Sequence, residues 1–184
     1  MKKLTGNERF LYNGIPINRL LLDFWSWQSS ELLSNTLRGA LAEYIVATAL
    51  DIDSENSRVN WYEYDLLYGG CRIEVKSSAY LQSWERDGFS RISFNIYPSR
   101  PVTASVWDDD DISRHSDVYV FCLFKSRDRE LADPMMLEQW DFSWFVQQIL
   151  TVFSATRKLP QYQPFVRSHT LNATTKICVN LLTQ

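Results

Sequence analysis

The sequence predicts an α/β domain built on a mixed β-sheet core flanked by helices. Three observations carry that prediction. An amphipathic stretch runs from Glu31 to Leu50, two β-rich segments meet at Gly69-Gly70, and a near-continuous apolar run extends from Ser116 to Phe124. A hairpin followed by a buried strand makes part of the sheet antiparallel, which argues against a doubly wound parallel layout. At 184 residues, 45% of them hydrophobic, the chain is expected to form one domain over 1–184, with its recognisable core at about 31–124.

The elements follow in order. "LYNGIPINRLLLDFW" reads as short extended pieces around a turn at Asn13-Gly14. "ELLSNTLRGALAEYIVATAL" is the strongest helix, with Leu33, Leu37, Leu41, Tyr44 and Thr48 at three- and four-residue steps and Ser29 or Ser30 as its cap. "NWYEYDLLY", two glycines and "CRIEVKSS" form a hairpin, and "SRISFNIY" (Ser90–Tyr97) alternates as a third strand. "SDVYVFCLF" is short and apolar throughout, as a central strand covered on both faces requires. "LEQWDFSWFVQQILTVF" reads as a strand or turn leading into a helix, and "TKICVNLL" as a last strand. The expected order is αβββ-αβ.

Charge and cysteine content narrow the class. A net charge of −3 counts against the simplest nucleic-acid binder, which carries a basic surface. Acids concentrated in a metal site and in the run Asp108-Asp109-Asp110-Asp111 would reconcile the two. No stretch approaches the roughly 20 apolar residues of a membrane span, and no apolar segment follows Lys2 and Lys3 to make a signal peptide. Cys71, Cys122 and Cys178 are odd in number and far apart, which suits buried thiols in a reducing compartment. A cytoplasmic protein with no membrane partner is expected.

The hairpin supplies a register. Counting outward from Gly69-Gly70, Tyr68 faces Cys71, Leu67 faces Arg72, Leu66 faces Ile73 and Asp65 faces Glu74. Beyond these, Tyr64 faces Val75 and Glu63 faces Lys76. One face then carries Tyr68, Cys71, Leu66, Ile73, Tyr64 and Val75. The other carries Leu67, Arg72, Asp65, Glu74, Glu63 and Lys76, and a one-residue slip would mix the two sets.

Directly opposed acids repel unless a positive group sits between them. A divalent cation with oxygen ligands resolves the repulsion, since Mg²⁺ takes one or two carboxylates and keeps waters. Lys76 shares the face of Glu74, although an ion pair with Glu63 is open to it as well. Glu43 shares a helical stripe with the small residues Thr36, Gly39, Ala40 and Ala47, so its helix can lie close to a sheet or a substrate. The competing reading is a solvated ribbon whose acids and bases cross-pair for modest energy.

The ordered set of Glu43 in "RGALAEYIV", Asp65 in "WYEYDLLY", and Glu74 and Lys76 in "IEVKSS" resembles the PD-(D/E)xK nuclease superfamily. The residue before Asp65 is Tyr64 rather than proline, a departure from the family pattern. The resemblance implies a restriction-endonuclease-like fold and a nuclease acting on nucleic acid, DNA in particular. It implies Mg²⁺, with Mn²⁺ as a substitute, held by Asp65 and Glu74 with Glu43 completing the site. Lys76 would orient the attacking water or stabilise the transition state. Ser77, Ser78 and Gln82 follow on the same segment as candidate phosphate contacts. Arg38 lies near the site, with a surface ion pair as its alternative.

Other features carry less. Tyr80, Trp84 and Phe89 with Arg86 and Arg91 would make a base-stacking rim or simply core. Asp108–Asp111 lacks the alternating spacing of a calcium loop, and His115 and His169 have no metal-ligand spacing. Two rival functions remain open. One is an inactive module of nuclease fold that binds nucleic acid or a protein partner. The other is a carboxylate-pair glycosidase, which leaves Lys76 and Glu43 without a task. A homodimer is compatible with all of these.

Overall fold

The structure is a computed structural model and describes residues 3–52, 64–84, 88–96 and 115–146. Strands β1 (Arg9–Tyr12) and β2 (Ile15–Leu20) form an antiparallel hairpin. Asn13 and Gly14 between them have φ of 49° and 78°, the paired positive values of a type I′ turn. Helix α1 (Leu21–Ser29) follows at once, its first turn closed by the Leu20 N–H donating to the Asp23 carboxylate at 2.8 Å. The sequence pattern there suggested only extended pieces.

The expected long helix starts later than its pattern suggested, at Asn35 rather than Glu31. Ser30 ends α1, its hydroxyl donating back to the Ser26 carbonyl. Helix α2 (Asn35–Ala49) begins after Ser34, whose Oγ accepts the Leu37 N–H at 3.4 Å. Ser34, not Ser29 or Ser30, is therefore the cap. The buried stripe of α2 also differs from the expected one. It runs through Arg38, Ala42 and Val46, with Leu33, Leu41 and Leu50 at its margins, while Tyr44 is 62% exposed. Gly39 sits next to this stripe, and a Cβ there would lie 4.0 Å from Ser77 Oγ, so α2 runs close to β4 at that point.

The main sheet contains β3 (Leu66–Tyr68), β4 (Cys71–Ala79), β5 (Val118–Phe124) and β6 (Trp140–Val146), in the order β3-β4-β5-β6. Gly69 and Gly70, at φ 56° and 81°, make the β3–β4 turn. The register is the one counted from the glycines: Tyr68 with Cys71, Leu67 with Arg72, Leu66 with Ile73. β5 lies parallel to β4 and antiparallel to β6, which makes the sheet mixed.

Every residue of β5 is buried, as an apolar run without alternation requires. On one side Val118, Val120, Cys122 and Phe124 join Ile73, Val75, Ala42 and Val46. On the other, Tyr119 and Phe121 are covered by Phe94, Ile96 and Phe145. A single 3₁₀ turn (Leu137–Gln139) leads into β6, whose Trp140 is buried with Nε1 donating to the Pro134 carbonyl at 2.9 Å.

Three expectations need correction. Residues 90–96 form no strand: their alternation reflects one-sided packing, with Phe94 laid on Phe121 at a centroid distance of 4.7 Å. They attach to β4 through Ser93 N–H to Ser78 Oγ at 3.4 Å rather than by a ladder. The αβββ-αβ order therefore loses its third strand. The cysteines are not three free thiols. Cys122 is free and buried, and burial pushes its thiol up to about 12. Cys71 is disulfide-bonded. The expected helix after "WDFSWF", the strand "TKICVNLL" and Asp108–Asp111 also lie outside them. Among the described residues no helix is long and apolar enough to cross a membrane.

Candidate active site

The burial of β4 alternates from Cys71 to Lys76, apolar residues inward and Arg72, Glu74 and Lys76 half-buried. That period of two puts Glu74 and Lys76 on one face, where Lys76 Nζ meets Glu74 Oε1 at 2.5 Å. Glu63 lies outside the described residues, so the ion pair seen for Lys76 is with Glu74. The second Glu74 oxygen accepts from the Ser116 hydroxyl at 3.3 Å. Ser116 is buried just before β5, and the parallel β4–β5 pairing is what brings it to Glu74.

Asp65 departs from the counted register. Its N–H donates to the Ile73 carbonyl at 3.0 Å, one residue out of the ladder that holds for Leu66, Leu67 and Tyr68. Its Oδ2 accepts the Val75 N–H at 2.7 Å. The side chain thus takes the acceptor position that a strand carbonyl would otherwise fill, and anchors the carboxylate beside Glu74. Burial raises the Asp65 carboxyl first, the Glu74 charge next and the Glu43 charge further. The Val75 N–H and Lys76 oppose them, and the outcome is about 7. Glu43, Glu74 and Lys76, on α2 and β4, therefore all act on Asp65.

A cleft of about 600 Å³ opens beside this group. Glu74 and Lys76 line it; Asp65 and Glu43 do not. Its walls come from the start of α2 (Asn35, Arg38), the second half of β4 and Gln82, the segment from Ser90 to Ile96, and His115 with Ser116 and Tyr119. Ser77 and Ser78 line it from within β4 rather than from a turn, and Ser78 is buried. His115, given no role from spacing, reaches the cleft from three residues before β5. Neither it nor Ser116 left a sequence signal, since only the crossover to β5 places them.

Arg38 also differs from expectation. It is 3% exposed and makes no surface ion pair. Nη1 donates to the Leu33 carbonyl at 3.0 Å and to Gln82 Oε1 at 2.9 Å, and Nη2 donates to Asn35 Oδ1 at 2.5 Å. Burial pushes its guanidinium below the usual range. Of the expected aromatic rim, Tyr80 and Phe89 meet edge-on at 6.3 Å. Arg127 lies over Tyr80 at 4.1 Å, Trp84 is 59% exposed, and Arg86 is outside the described residues.

Among the described residues no three His, Cys, Asp or Glu side chains are gathered closely enough to enclose a metal ion. The Asp65–Glu74 pair fits the lighter requirement of Mg²⁺, two protein carboxylates with water completing the shell. Burial is the main cause of the rise in the Asp65 carboxyl, and the Glu74 and Glu43 charges add to it.

Fold and site together define a mixed-sheet α/β protein with Glu74 and Lys76 at a polar cleft beside β4 and the Asp65 carboxyl acted on by both. The family model for bacteriophage T4 endonuclease IV matches residues 18–151, which include both helices' contributions, the hairpin, β5 and β6. The chain belongs to that endonuclease family. Comparison with curated proteins and with solved structures gave no significant match.

Proposed function

We propose that this chain is a metal-dependent endonuclease that hydrolyses phosphodiester bonds in DNA, using a site of the PD-(D/E)xK type. The observation that carries the reading is the grouping of Glu74 and Lys76 on one face of β4 with Asp65 anchored on Val75, its carboxyl raised to about 7 by burial first and then by the Glu74 and Glu43 charges. Membership of an endonuclease family supports the reaction class.

Asp65 and Glu74, with Glu43 in support, would hold Mg²⁺ or Mn²⁺. Such an ion, when bound, polarises a phosphate oxygen and offsets charge on the departing one. The remaining work falls to the chain. Lys76 is half-buried, so its ammonium is partly desolvated and held in place by Glu74. A fixed donor of that kind orients a water or stabilises charge that develops on the phosphate. Ser116 holds the second oxygen of Glu74, and the Val75 N–H fixes Asp65, so both carboxylates are oriented before substrate arrives. The disposition of acids and lysine leaves the glycosidase alternative without a role for Lys76.

The test is cleavage of DNA and RNA with Mg²⁺ or Mn²⁺, for the natural chain and for Asp65→Ala, Glu74→Ala and Lys76→Ala. Loss of cleavage by at least about 10²-fold in each is expected. Cleavage unchanged by all three sinks the assignment, and no cleavage by the natural chain favours the inactive binding module.

A further inference from the structure

A buried arginine is ordinarily matched by an acid, because removing its charge from water is costly unless something negative replaces the solvent. Arg38 has no such match. Its three hydrogen bonds go to a carbonyl and two carboxamide oxygens, and its buried Nε has no partner. A neutral side chain would brace the start of α2 against Gln82 without burying a charge.

The surroundings point the same way. Arg38, Arg91 and Lys76 line the cleft, and Glu74, already on Lys76, is the only acid among the described lining residues. The cleft is thus cationic in a chain whose net charge is −3. Serines and carboxamides make up most of the remaining polar lining.

We propose that Arg38, with Gln82 and Asn35, is a phosphate subsite that grips a backbone phosphate other than the one being cleaved. The planar guanidinium offers paired donors that match two phosphate oxygens. Gln82 Oε1 now occupies Nη1, and its Nε2 donates to the Ala79 carbonyl at 3.2 Å. Rotation of that carboxamide frees Nη1 for the anion and turns an N–H donor toward it. A subsite built this way fixes the register of the strand in the cleft while Asp65, Glu74 and Lys76 attend to the scissile bond. This subsite rests on the reading of the cleft as a nucleic-acid site.

The probe is inorganic phosphate, in metal-free buffer, against chloride at matched ionic strength. Phosphate at about ten times its Kd is expected to raise the Tm of the natural chain by about 3 °C. Gln82→Glu places a carboxylate on Arg38, so its Tm should not respond to phosphate, and its KM for polynucleotide should rise about tenfold. Asp65→Asn should keep the full phosphate response. No response in the natural chain, or an undiminished one in Gln82→Glu, overturns the subsite. The two readings fail separately: phosphate captured through Arg38 by a chain that cleaves nothing removes the nuclease assignment alone, and cleavage without a phosphate response removes the subsite alone.

Discussion

Asp117 and Asp65 both hold the backbone of β4, one near its start and one at its middle. Each takes a hydrogen bond from a backbone amide of that strand, Asp117 from Arg72 at 2.9 Å and Asp65 from Val75 at 2.7 Å. Their carboxyls nevertheless move in opposite directions. Burial raises both. At Asp117 the side chain of Arg72 adds two further bonds, at 3.1 and 2.8 Å, and holds the carboxyl below its usual range. At Asp65 the neighbours are Glu74 and Glu43, Lys76 offsets them only in part, and the carboxyl reaches about 7. The arginines repeat the contrast. Arg72, whose side chain is 42% exposed, has a bidentate acid, while Arg38, 3% exposed, bonds only neutral acceptors. One end of β4 has its charges matched for structure. The other keeps them mismatched, as the proposed site for ions and phosphates requires.

The largest effect that tests this comparison is on cleavage. Asp65→Asn and Glu74→Gln should each lower the rate of DNA hydrolysis by about 10³-fold, since each removes a carboxylate from the proposed site. Asp117→Asn should leave the rate within about threefold under conditions where the variant is folded. Equal losses at the two ends would end the comparison.

The next effect is on stability against pH. Asp65 holds its proton more tightly in the folded chain than at its ordinary 3.8. The folded state therefore binds the extra proton between about pH 4 and 7, and stability falls as pH rises through that window, then levels off. The loss is on the order of a few kcal/mol. Metal-free protein should show Tm declining from pH 5 to 8, and Asp65→Asn should flatten that decline. Mg²⁺ should raise Tm more at pH 8 than at pH 5, because it binds the ionised pair. Asp117 has the opposite sign. Its stabilisation is fully present above the ordinary aspartate value and fades as pH falls through the depressed one.

A smaller effect is expected where Arg72 is cut back. Arg72→Ala removes two charge-assisted bonds to Asp117 and should cost about 1–3 kcal/mol in urea unfolding. The Mg²⁺-induced rise in Tm should survive it. The smallest is at the exposed pair of Lys125 and Asp141, 2.7 Å apart, where Lys125→Ala should change stability by less than about 1 kcal/mol. A larger loss there would show that paired charges on this sheet cannot be ranked by burial.

Much of the hairpin was legible in the sequence because its information is local. Two adjacent glycines free both turn positions for positive φ, and the period of two then sorts Cys71, Ile73 and Val75 from Arg72, Glu74 and Lys76. β5 was legible for a similar reason, as an apolar run too short for anything but a central strand. Where the reading went astray, local pattern competed with distant packing. Ser90–Ile96 alternates like a strand, yet its apolar residues serve Phe121 across the sheet. Leu37 and Tyr44 suggested one helix face, while the sheet chose the face bearing Arg38 and Ala42.

By itself, then, the sequence determined the mixed α/β class, the hairpin register near the glycines, and the placement of Glu74 and Lys76 on one face. Each follows from chain geometry over a few residues. Only the tertiary structure decided that Asp65 slips from the ladder to cap Val75, that Ser116 steadies Glu74, and that Arg38 is buried at the cleft beside Gln82. Those facts depend on the β4–β5 crossover and on how closely α2 lies on β4, distances that no local periodicity encodes.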